Sequence, residues 1–538
     1  MEKSDLDHYV WADKVADLLR EKKAKKHVIH GMWTPSGFFH IGNSRPELMV
    51  PSLINLSLQN HGLKSEQNFI VDDFDDFDKI PAGLDVKKED FEKHLGKPLR
   101  EVPSPVEGHD SWAHYFQKNV LDCLDKFGIK ATVISSYDSY KEGLFDKAIK
   151  IVLNKAEDVR KIWNDVTNAK KQKGWIPVMI VCENCGKSAT TKVTSWDGKE
   201  VEYSCNKNVG YTEGCKHKGK VKPEKGRAKL PWRLHWAAGW YVHGTTFESG
   251  GKDHFSSGGS VQTSQAFCKE IFKSQPPLQT PTEFLLVDNA KLSGSTGNVI
   301  SLKDWLEFAE PELLRFMMAS YKQNTVINFD LHSNKFFLLA DRYDKAEQAY
   351  FKKDEKEKRE KQLTEIYVYS QVGKIPGKIP VQLNYSNAVM IVQTFPNKSL
   401  TELIEILHSN SWIQRKELTV QDKDRLAKRL DLAKNWLEKY APEDVKFTVQ
   451  DEIPKDLKLN SKEKEALQLV VKALKKKDLD QKDLFNSFYD ICSKVEIKNT
   501  DFFRAAYNVL LNKDRGPKLA PFILTLGKEK VIELFGKV

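Results

Sequence analysis

Short apolar runs alternate with helical stretches along the first 150 residues. The runs HVIHGMW (27–33), QNFIVDD (67–73) and ATVISS (131–136) are rich in β-prone residues, whereas the segments at about 45–60 and 112–127 have helical patterns. Strands separated by helices in this way are typical of a parallel α/β sheet. The sequence therefore predicts an α/β parallel-sheet domain in the amino-terminal half.

The segment from Lys170 to Lys229 interrupts this alternation. It is poor in large aliphatic residues and rich in lysine, glycine and cysteine. The strand-like run TEFLLVD (282–288) then resumes the α/β pattern. We therefore predict that residues of about 165–230 are inserted into the sheet domain.

After Pro311 the pattern becomes mostly helical. Apolar residues recur at alternating spacings of four and three within 425–440, which places one apolar stripe on a helix, and the pattern repeats within 502–511. We interpret both stripes as core. The highly charged stretch 351–363 is typical of a solvated helix or a linker. An all-α domain is therefore predicted for 321–538, after a sheet domain that spans 1–320.

Composition and charge narrow the class of protein. A chain of 538 residues, 40% hydrophobic and 30% charged, suits a globular protein of two to four domains. No apolar run reaches 18 residues and the first ten residues carry acids, so we expect no membrane span, no signal peptide and a cytoplasmic location. The net charge is +10, of which a surplus of 8 falls in 321–538. The helical half is thus either a polyanion-binding surface or a lysine-rich solvated one.

The stretch WTPSGFFHIGN (33–43) lies between the first predicted strand and a helix. Ligands of open α/β sheets bind at the carboxyl ends of strands, where the next helix offers free backbone N–H groups to anions. Gly37 and Gly42 allow a ligand to approach the backbone closely. His40 and Asn43, three residues apart, can both donate hydrogen bonds to phosphate oxygens. An ordinary turn followed by a helix-start histidine is the alternative.

A second candidate motif, NAKLSGSTGNV (289–299), follows the TEFLLVD run. It is a glycine- and serine-rich loop with a single cation, Lys291. Such a lysine can close over a triphosphate and stabilise the charge that develops during nucleotidyl transfer. Together the two motifs predict that two distant segments converge on one nucleotide.

These motifs resemble those of a known family. HIGN (40–43) and KLSGS (291–295) are similar to the HIGH and KMSKS signatures of class I aminoacyl-tRNA synthetases, and TPSG (34–37) together with KLSGSTGN resembles the class I lysyl-tRNA synthetases. The likeness continues over nearly the whole chain, through VDDFDDFDKIP (71–81), WRLHW (232–236), GGKDH (250–254), AKNWLEKYAPEDVKF (433–447) and NKDRGPKLAPFI (512–523).

The resemblance implies a Rossmann-like catalytic domain with an inserted zinc-binding subdomain, and an α-helical domain that binds the anticodon. The implied activity is ligation of L-lysine, activated with ATP and Mg²⁺, to the 3′ end of tRNA(Lys). The implied catalytic residues are His40, Asn43 and Lys291. These three and a further set would bind ATP: Pro35, Ser36, Gly37, Gly42, Leu292, Ser293 and Ser295.

Selection of lysine requires an acceptor for its ammonium group and an aromatic wall for its methylene stem. Five residues near the resembling segments are the candidates: Thr34, Trp232, Trp236, Asp253 and His254. The acidic run that contains Asp72, Asp73, Asp75 and Asp76 could also supply a carboxylate. We interpret that run as a solvated loop, because clustered acids are usually solvated.

Four cysteines within the insertion predict a structural zinc site. Cys182 and Cys185 form a Cys-x2-Cys pair, and Cys205 follows after 19 residues. The fourth ligand is either Cys215 or His217, and Cys215 is preferred because four thiolates need no tautomer arrangement. A closed site of soft ligands is typical of zinc rather than of redox thiols.

Some positions depart from the pattern of the family. Met32 and Trp33 precede Thr34 where related sequences commonly have Gly-Ile, His235 replaces an acid in WRLHW, and Thr296 replaces a second lysine in the loop. These changes leave open a paralogue with altered amino-acid specificity, or one that only binds tRNA. The sequence makes no prediction of the oligomeric state.

Overall fold

The computed structural model describes residues 9–294, 299–333, 335–476 and 479–538. The chain forms two compact units. One contains the chain up to Leu306 together with Pro311–Phe329 and Asp354–Ile375, and the other contains Glu307–Glu310, Asp330–Lys353 and Pro376–Val538. The chain therefore passes from one unit to the other several times between residues 306 and 376.

Helices account for most of the regular structure. In chain order they are α1 Trp11–Glu21, α2 Ile41–Ser44, α3 Val50–Asn60, α4 Lys88–Glu92, α5 Trp112–Leu121, α6 Ser136–Lys141, α7 Asp146–Asn154, α8 Ala156–Thr167, α9 Trp232–His243, α10 Ser260–Glu270, α11 Leu302–Phe308, α12 Pro311–Ser320, α13 Lys335–Phe351, α14 Lys358–Ser370, α15 Tyr385–Thr394, α16 Leu400–Ser409, α17 Val420–Lys439, α18 Ser461–Lys476, α19 Gln481–Val495, α20 Asn499–Leu511, α21 Leu519–Leu526 and α22 Lys528–Gly536. A π-helical turn, Arg45–Met49, joins α2 to α3.

The strands form one parallel sheet and several small sheets. They are β1 His27–Trp33, β2 Ser65–Val71, β3 Ala131–Ser135, β4 Met179–Ile180, β5 Thr191–Trp196, β6 Val201–Cys205, β7 Lys218–Val221, β8 Ala228–Lys229, β9 Phe247–Gly251, β10 Leu278–Thr282, β11 Leu285–Val287, β12 Ala290–Lys291 and β13 Ile327–Phe329. The central sheet has five strands in the order β10-β9-β1-β2-β3, and every pairing is parallel. The predicted parallel sheet is confirmed.

The predicted strand at 282–288 forms in part, as β11, but it does not join the central sheet. β10 ends at Thr282 in the central sheet, and β11 belongs to a separate three-stranded sheet in the order β12-β11-β13. Between the two strands, the guanidinium group of Arg45 donates to the carbonyl oxygens of Glu283, at 2.8 Å, and Phe284, at 3.3 Å. The Glu283 N–H donates to the Gln323 carbonyl at 2.9 Å. These bonds hold residues 283 and 284 outside the sheet.

The cysteine-bearing segment lies between α8 and α9, where its strands β4–β8 form two small antiparallel sheets. Its buried residues, among them Val193 and Tyr203, pack in one hydrophobic cluster with residues of α7, α9 and α10. The segment is therefore packed onto the sheet domain through a shared core.

The second unit is mostly helical, as predicted. Leu426, Leu430 and Ala433 of α17 are buried, and so are Phe502 and Leu510 of α20, which confirms both stripes as core. The charged stretch contains a mostly exposed connection, 352–357, between α13 and α14. Across the described ranges, no helix is long and apolar enough to cross a membrane.

Candidate active site

The turn after β1 touches the loop after β12. A Cβ atom added at Gly37 would lie 3.1 Å from the carbonyl oxygen of Gly294, and one added at Gly294 would overlap the carbonyl oxygen of Phe38. The Ile41 N–H also donates to the Ile300 carbonyl at 2.8 Å. The two predicted motifs therefore meet through their backbones, and glycine is needed at 294 because no side chain fits there. Ser295 and Thr296 lie outside the described residues.

His40 begins the helix after this turn. The Nδ1 atom of His40 accepts a hydrogen bond from the Asn43 backbone N–H at 3.1 Å, and the His40 backbone N–H donates to Asn43 Oδ1 at 3.3 Å. Burial, assisted by the charge of Lys291, lowers the pKa of His40 to about 4. The imidazole is thus neutral at pH 7. Because Nδ1 is an acceptor, the ring proton is on Nε2, which is a donor for a ligand.

Lys291 is presented by a two-stranded hairpin. β12 pairs antiparallel with β11, with Lys291 opposite Leu286. The Lys291 ammonium lies 3.9 Å from the centre of the Phe284 ring and 3.5 Å from Asp253 Oδ2. The next residue, Leu292, is buried and fixes the hairpin. Lys291 itself is 58% exposed, so its charge is available to an incoming ligand.

Trp232 and Trp236 form an aromatic wall on α9. Their ring centroids are 5.2 Å apart at an interplanar angle of 22°. His254 meets Trp236 edge-on at 5.5 Å, and its neighbour Asp253 contacts Lys291. Of the five residues predicted to bind lysine, Asp253 thus contacts Lys291, and Trp232, Trp236 and His254 form one aromatic group.

A buried carboxylate lies behind the aromatic wall. Glu248, on β9, is 1% exposed and accepts the indole N–H of Trp236 at 2.8 Å. The Trp240 indole N–H donates to the same carboxylate oxygen. Burial raises the pKa of Glu248 to about 7, although both indole bonds act against this rise. The sequence analysis missed Glu248, and the only available signal was a single acid in an apolar strand after a helix with tryptophans four residues apart.

Thr34 has a different set of neighbours. With Ser36 it lines a cleft of about 420 Å³ whose other lining residues include Asp75, Asp76 and Asp78. Thr34 thus faces carboxylates rather than the tryptophan pair. Lysine's ammonium group could be neutralised there.

The interpretation of the acidic run as a solvated loop is wrong for Asp72 and Asp73, which are fully buried. Asp73 accepts the Ser135 hydroxyl and the Tyr137 N–H, both at 2.8 Å. Burial raises the pKa of Asp72 to about 7 and that of Asp73 to about 6. These acids follow a central strand of the sheet, and that position accounts for their burial.

Lys229 brings a buried positive charge to this acidic run and acts to lower the pKa of Asp72. It lies at the end of the insertion, is 2% exposed, and its ammonium is 2.7 Å from Asp75 Oδ1. Burial acts to lower the pKa of Lys229, but the nearby carboxylates raise it above its usual value. A second residue of the insertion, Ser188, donates its hydroxyl to Asp76.

His235, the histidine noted as a departure from the family pattern, belongs to the same buried group. Its Nε2 lies 3.7 Å from Asp72 Oδ1, and its Nδ1 lies 3.0 Å from the Tyr140 hydroxyl. Burial lowers the pKa of His235 to about 3, so the ring is neutral. It therefore adds no positive charge to this region at pH 7.

The four predicted cysteines form a compact cluster. Their sulfur atoms all lie within 4.8 Å of one another, with Cys182 to Cys215 and Cys185 to Cys205 each at 3.7 Å. A tetrahedral site with bonds of about 2.3 Å places its sulfurs about 3.8 Å apart. His217 is outside this group and contributes its backbone carbonyl, which accepts the Cys205 N–H.

Comparison with known proteins relates this chain to a family of enzymes. The family described as tRNA synthetases class I (K) matches residues 9–373, and the anticodon binding domain family matches 400–533. A lysine–tRNA ligase of Methanocaldococcus jannaschii is 35% identical, over 98% of this chain and 99% of its own length. One of Thermococcus kodakarensis is 34% identical, over 97% and 98% respectively. With a parallel sheet, converging signature loops and similarity along nearly its whole length, the chain belongs to the class I (K) family of tRNA synthetases.

Proposed function

We propose that the protein is a lysine–tRNA ligase, which forms lysyl-adenylate from L-lysine and MgATP and transfers the lysyl group to the 3′ end of tRNA(Lys). The observation that carries this proposal is the backbone contact between the Gly37–Phe38 turn and Gly294, beside His40 and Lys291. Curated relatives named lysine–tRNA ligase support the amino acid.

The first step needs positioning and charge stabilisation rather than a general base. The carboxylate of lysine is ionised at pH 7 and attacks the α-phosphate of ATP, forming a P–O bond as pyrophosphate leaves. Neutral His40 donates from Nε2 to a phosphate oxygen, and Asn43 orders the turn. Lys291 exchanges its contact with Asp253 for the phosphates as charge develops. The remaining ATP-binding set is Pro35, Ser36, Gly37, Gly42, Leu292, Ser293 and Ser295.

In the second step, the 2′-hydroxyl of the terminal adenosine attacks the lysyl carbonyl and AMP leaves. The resemblance to class I lysyl-tRNA synthetases supports this hydroxyl as the acceptor. The same site therefore releases pyrophosphate first and AMP afterwards, and the two products allow the steps to be followed separately.

The aromatic wall is proposed to hold the methylene stem of lysine. Trp232 and Trp236 present a stacked apolar surface, and His254 closes one edge of it. For the ammonium group, Asp253 and the carboxylates beside Thr34 are the two acceptors, because a desolvated ammonium without a carboxylate is costly.

The cysteine cluster is proposed to bind a structural zinc ion through Cys182, Cys185, Cys205 and Cys215. The sulfur separations fit a tetrahedral thiolate site, and zinc bound there would stabilise the fold of the insertion. Residues 1–320 are proposed to carry synthesis and 321–538 to bind the anticodon. The match of 400–533 to the anticodon binding domain family supports the role proposed for the second part. The working location of such an enzyme is the cytoplasm.

Amino-acid-dependent ATP–pyrophosphate exchange tests the proposal. We expect exchange with lysine and charging of tRNA(Lys). Exchange with glutamate but not lysine would identify altered specificity, and tRNA binding without exchange for any amino acid would identify a binding paralogue. Either result would overturn the proposal, and Met32, His235 and Thr296 would then be the first positions to revert.

A further inference from the structure

A basic cleft of about 840 Å³ lies in the first unit, apart from the residues of the candidate active site. Its walls come from α1, the end of β10, the segment after α12 and the start of α14. Four cations line it: Lys14, Lys322, Lys358 and Arg359. No carboxylate is among its lining residues.

The charges of this basic cleft are not balanced locally. Lys14, Lys322, Lys358 and Arg359 are exposed, and none forms an ion pair with any carboxylate in the part of the chain that the structure describes. Lys118, an exposed lysine of the same unit, differs in being paired with Asp122 at 2.9 Å. The cations of the cleft thus leave a concentrated positive field, which attracts anions.

The wall also contains two buried polar groups that lack partners. Gln323 is 9% exposed, and its Nε2 has no hydrogen-bond partner among the described residues. The same holds for the buried hydroxyl of Thr280. Buried donors are nearly always paired in folded proteins, so an oxygen from a bound water molecule or from a ligand in the cleft is expected at these atoms.

We propose that this basic cleft binds the sugar–phosphate backbone of tRNA. The proposal rests on the proposed function, which supplies the RNA. A phosphodiester offers only acceptor oxygens and negative charge there, and these match the four cations and the two unpaired donors. The cations come from three separate elements, and the cleft is far larger than one phosphate group. Consecutive phosphates of an RNA strand suit this arrangement better than a single small anion.

Neutral substitutions test the basic cleft. We expect the double variant Lys322→Gln/Arg359→Gln to raise the KM for tRNA(Lys) in aminoacylation by about tenfold, with kcat changed by less than about twofold. In filter binding, the slope of log K against log salt concentration should decrease by roughly 0.7–0.9 for each phosphate contact removed. Lys118→Gln is the control, since it removes an exposed lysine that already has a partner. Lysine-dependent exchange without tRNA should be unchanged in all three proteins.

Gln323→Leu tests the unpaired donor. We expect it to raise the KM for tRNA several-fold while leaving the melting temperature equal or higher, because the folded protein loses no hydrogen bond. Calorimetric titration with inorganic phosphate tests the alternative that the basic cleft binds a free phosphate ion instead of the RNA backbone. If the double variant no longer binds phosphate but binds tRNA with the affinity of the wild type, the assignment to RNA is overturned.

The two levels of inference fail separately. If wild-type exchange is normal and the double variant has the KM and salt slope of the wild type, the basic cleft does not bind tRNA and the proposed function stands. If the wild type lacks lysine-dependent exchange, the proposed function fails. Filter binding of tRNA then still decides the role of the basic cleft.

Discussion

The indole N–H of Trp236 donates to the buried carboxylate of Glu248 at 2.8 Å, and that of Trp240 donates to the same oxygen. This arrangement fixes the plane of Trp236, whose stacking with Trp232 forms the proposed wall for lysine. Under the proposed function, Glu248 would position the wall for amino-acid binding, although it is too deeply buried to contact the substrate itself.

Replacing Glu248 should affect lysine binding more than chemistry. Glu248→Gln retains an acceptor oxygen for the indoles, whereas Glu248→Ala leaves two buried donors unpaired, a cost of about 1–3 kcal/mol each. We expect the KM for lysine in pyrophosphate exchange to rise several-fold for Gln and more for Ala, with the KM for ATP unchanged. Equal increases in both KM values would assign Glu248 to general stability instead.

Removing Lys291 or His40 should slow adenylate formation. Each is proposed to stabilise charge on the phosphates, and loss of one such donor costs roughly 10- to 1000-fold in rate. Lys252→Ala is a matched control, because Lys252 also lies over the Phe284 ring, at 4.7 Å, but pairs with Glu283 at 2.8 Å. Pyrophosphate exchange measures all three variants. Equal losses for Lys252→Ala and Lys291→Ala would remove Lys291 from its assigned role.

Zinc content should depend on Cys215 and not on His217. We expect about one zinc per chain by elemental analysis, loss of most of it in Cys215→Ser and full retention in His217→Ala, because only the cysteine sulfur lies within the cluster. Cys268→Ser, at a buried cysteine outside the cluster, is the control. Chelation should lower the melting temperature of the wild type, since metal binding contributes to folding. Wild-type zinc content in Cys215→Ser would reject the four-thiolate site.

The neutral state of His40 predicts a pH dependence of stability. Its pKa is lowered to about 4 in the folded protein, so the unfolded chain binds the proton more tightly. The stabilisation is fully present above pH 6.5 and is lost as the pH falls towards 4. Between pH 7.5 and 5 the wild type should lose about 2 kcal/mol of unfolding free energy that His40→Gln does not lose. Urea denaturation at both pH values measures this difference, and parallel losses would contradict it.

Two exposed aromatic residues on α19 are candidates for anticodon contact. Phe485 and Tyr489 are 46% and 41% exposed, with ring centroids 5.1 Å apart. Unpaired bases stack on such side chains, for about 1–3 kcal/mol per base. We expect Phe485→Ala/Tyr489→Ala to lower kcat/KM for tRNA at least tenfold and to leave exchange unchanged. Val420→Ala, at an exposed apolar residue of the same unit, should have no effect. Normal charging by the double variant would exclude these two residues as base contacts.

The features that sequence analysis predicted are those encoded locally. β1 and the His40 turn are contiguous segments, and the cysteines carry a recognisable spacing, so their roles could be inferred from short patterns. Lys291 could be placed because its loop has a characteristic composition. The contact of that loop with Gly37 could be predicted because both motifs were expected to bind the same nucleotide.

The features that it missed depend on contacts between distant segments. Lys229 and Asp75 are 154 residues apart, and neither is unusual in its own surroundings. The acidic run was interpreted as solvated because charge density alone does not reveal a buried cation in another segment. Glu248 was missed for the same reason, since its role comes from two tryptophans on a different element.

The pairing of Lys229 with Asp75 makes the cysteine-bearing insertion inseparable from the sheet. The insertion supplies the Lys229 ammonium, which pairs with Asp75, and the Ser188 hydroxyl, which donates a hydrogen bond to Asp76. A shortened chain without 170–229 would leave these carboxylates without their cation, which is strongly unfavourable for any that stay buried. The insertion therefore cannot simply be deleted. A minimal catalytic core designed from this enzyme must either keep it or replace the acids that follow β2 with neutral residues.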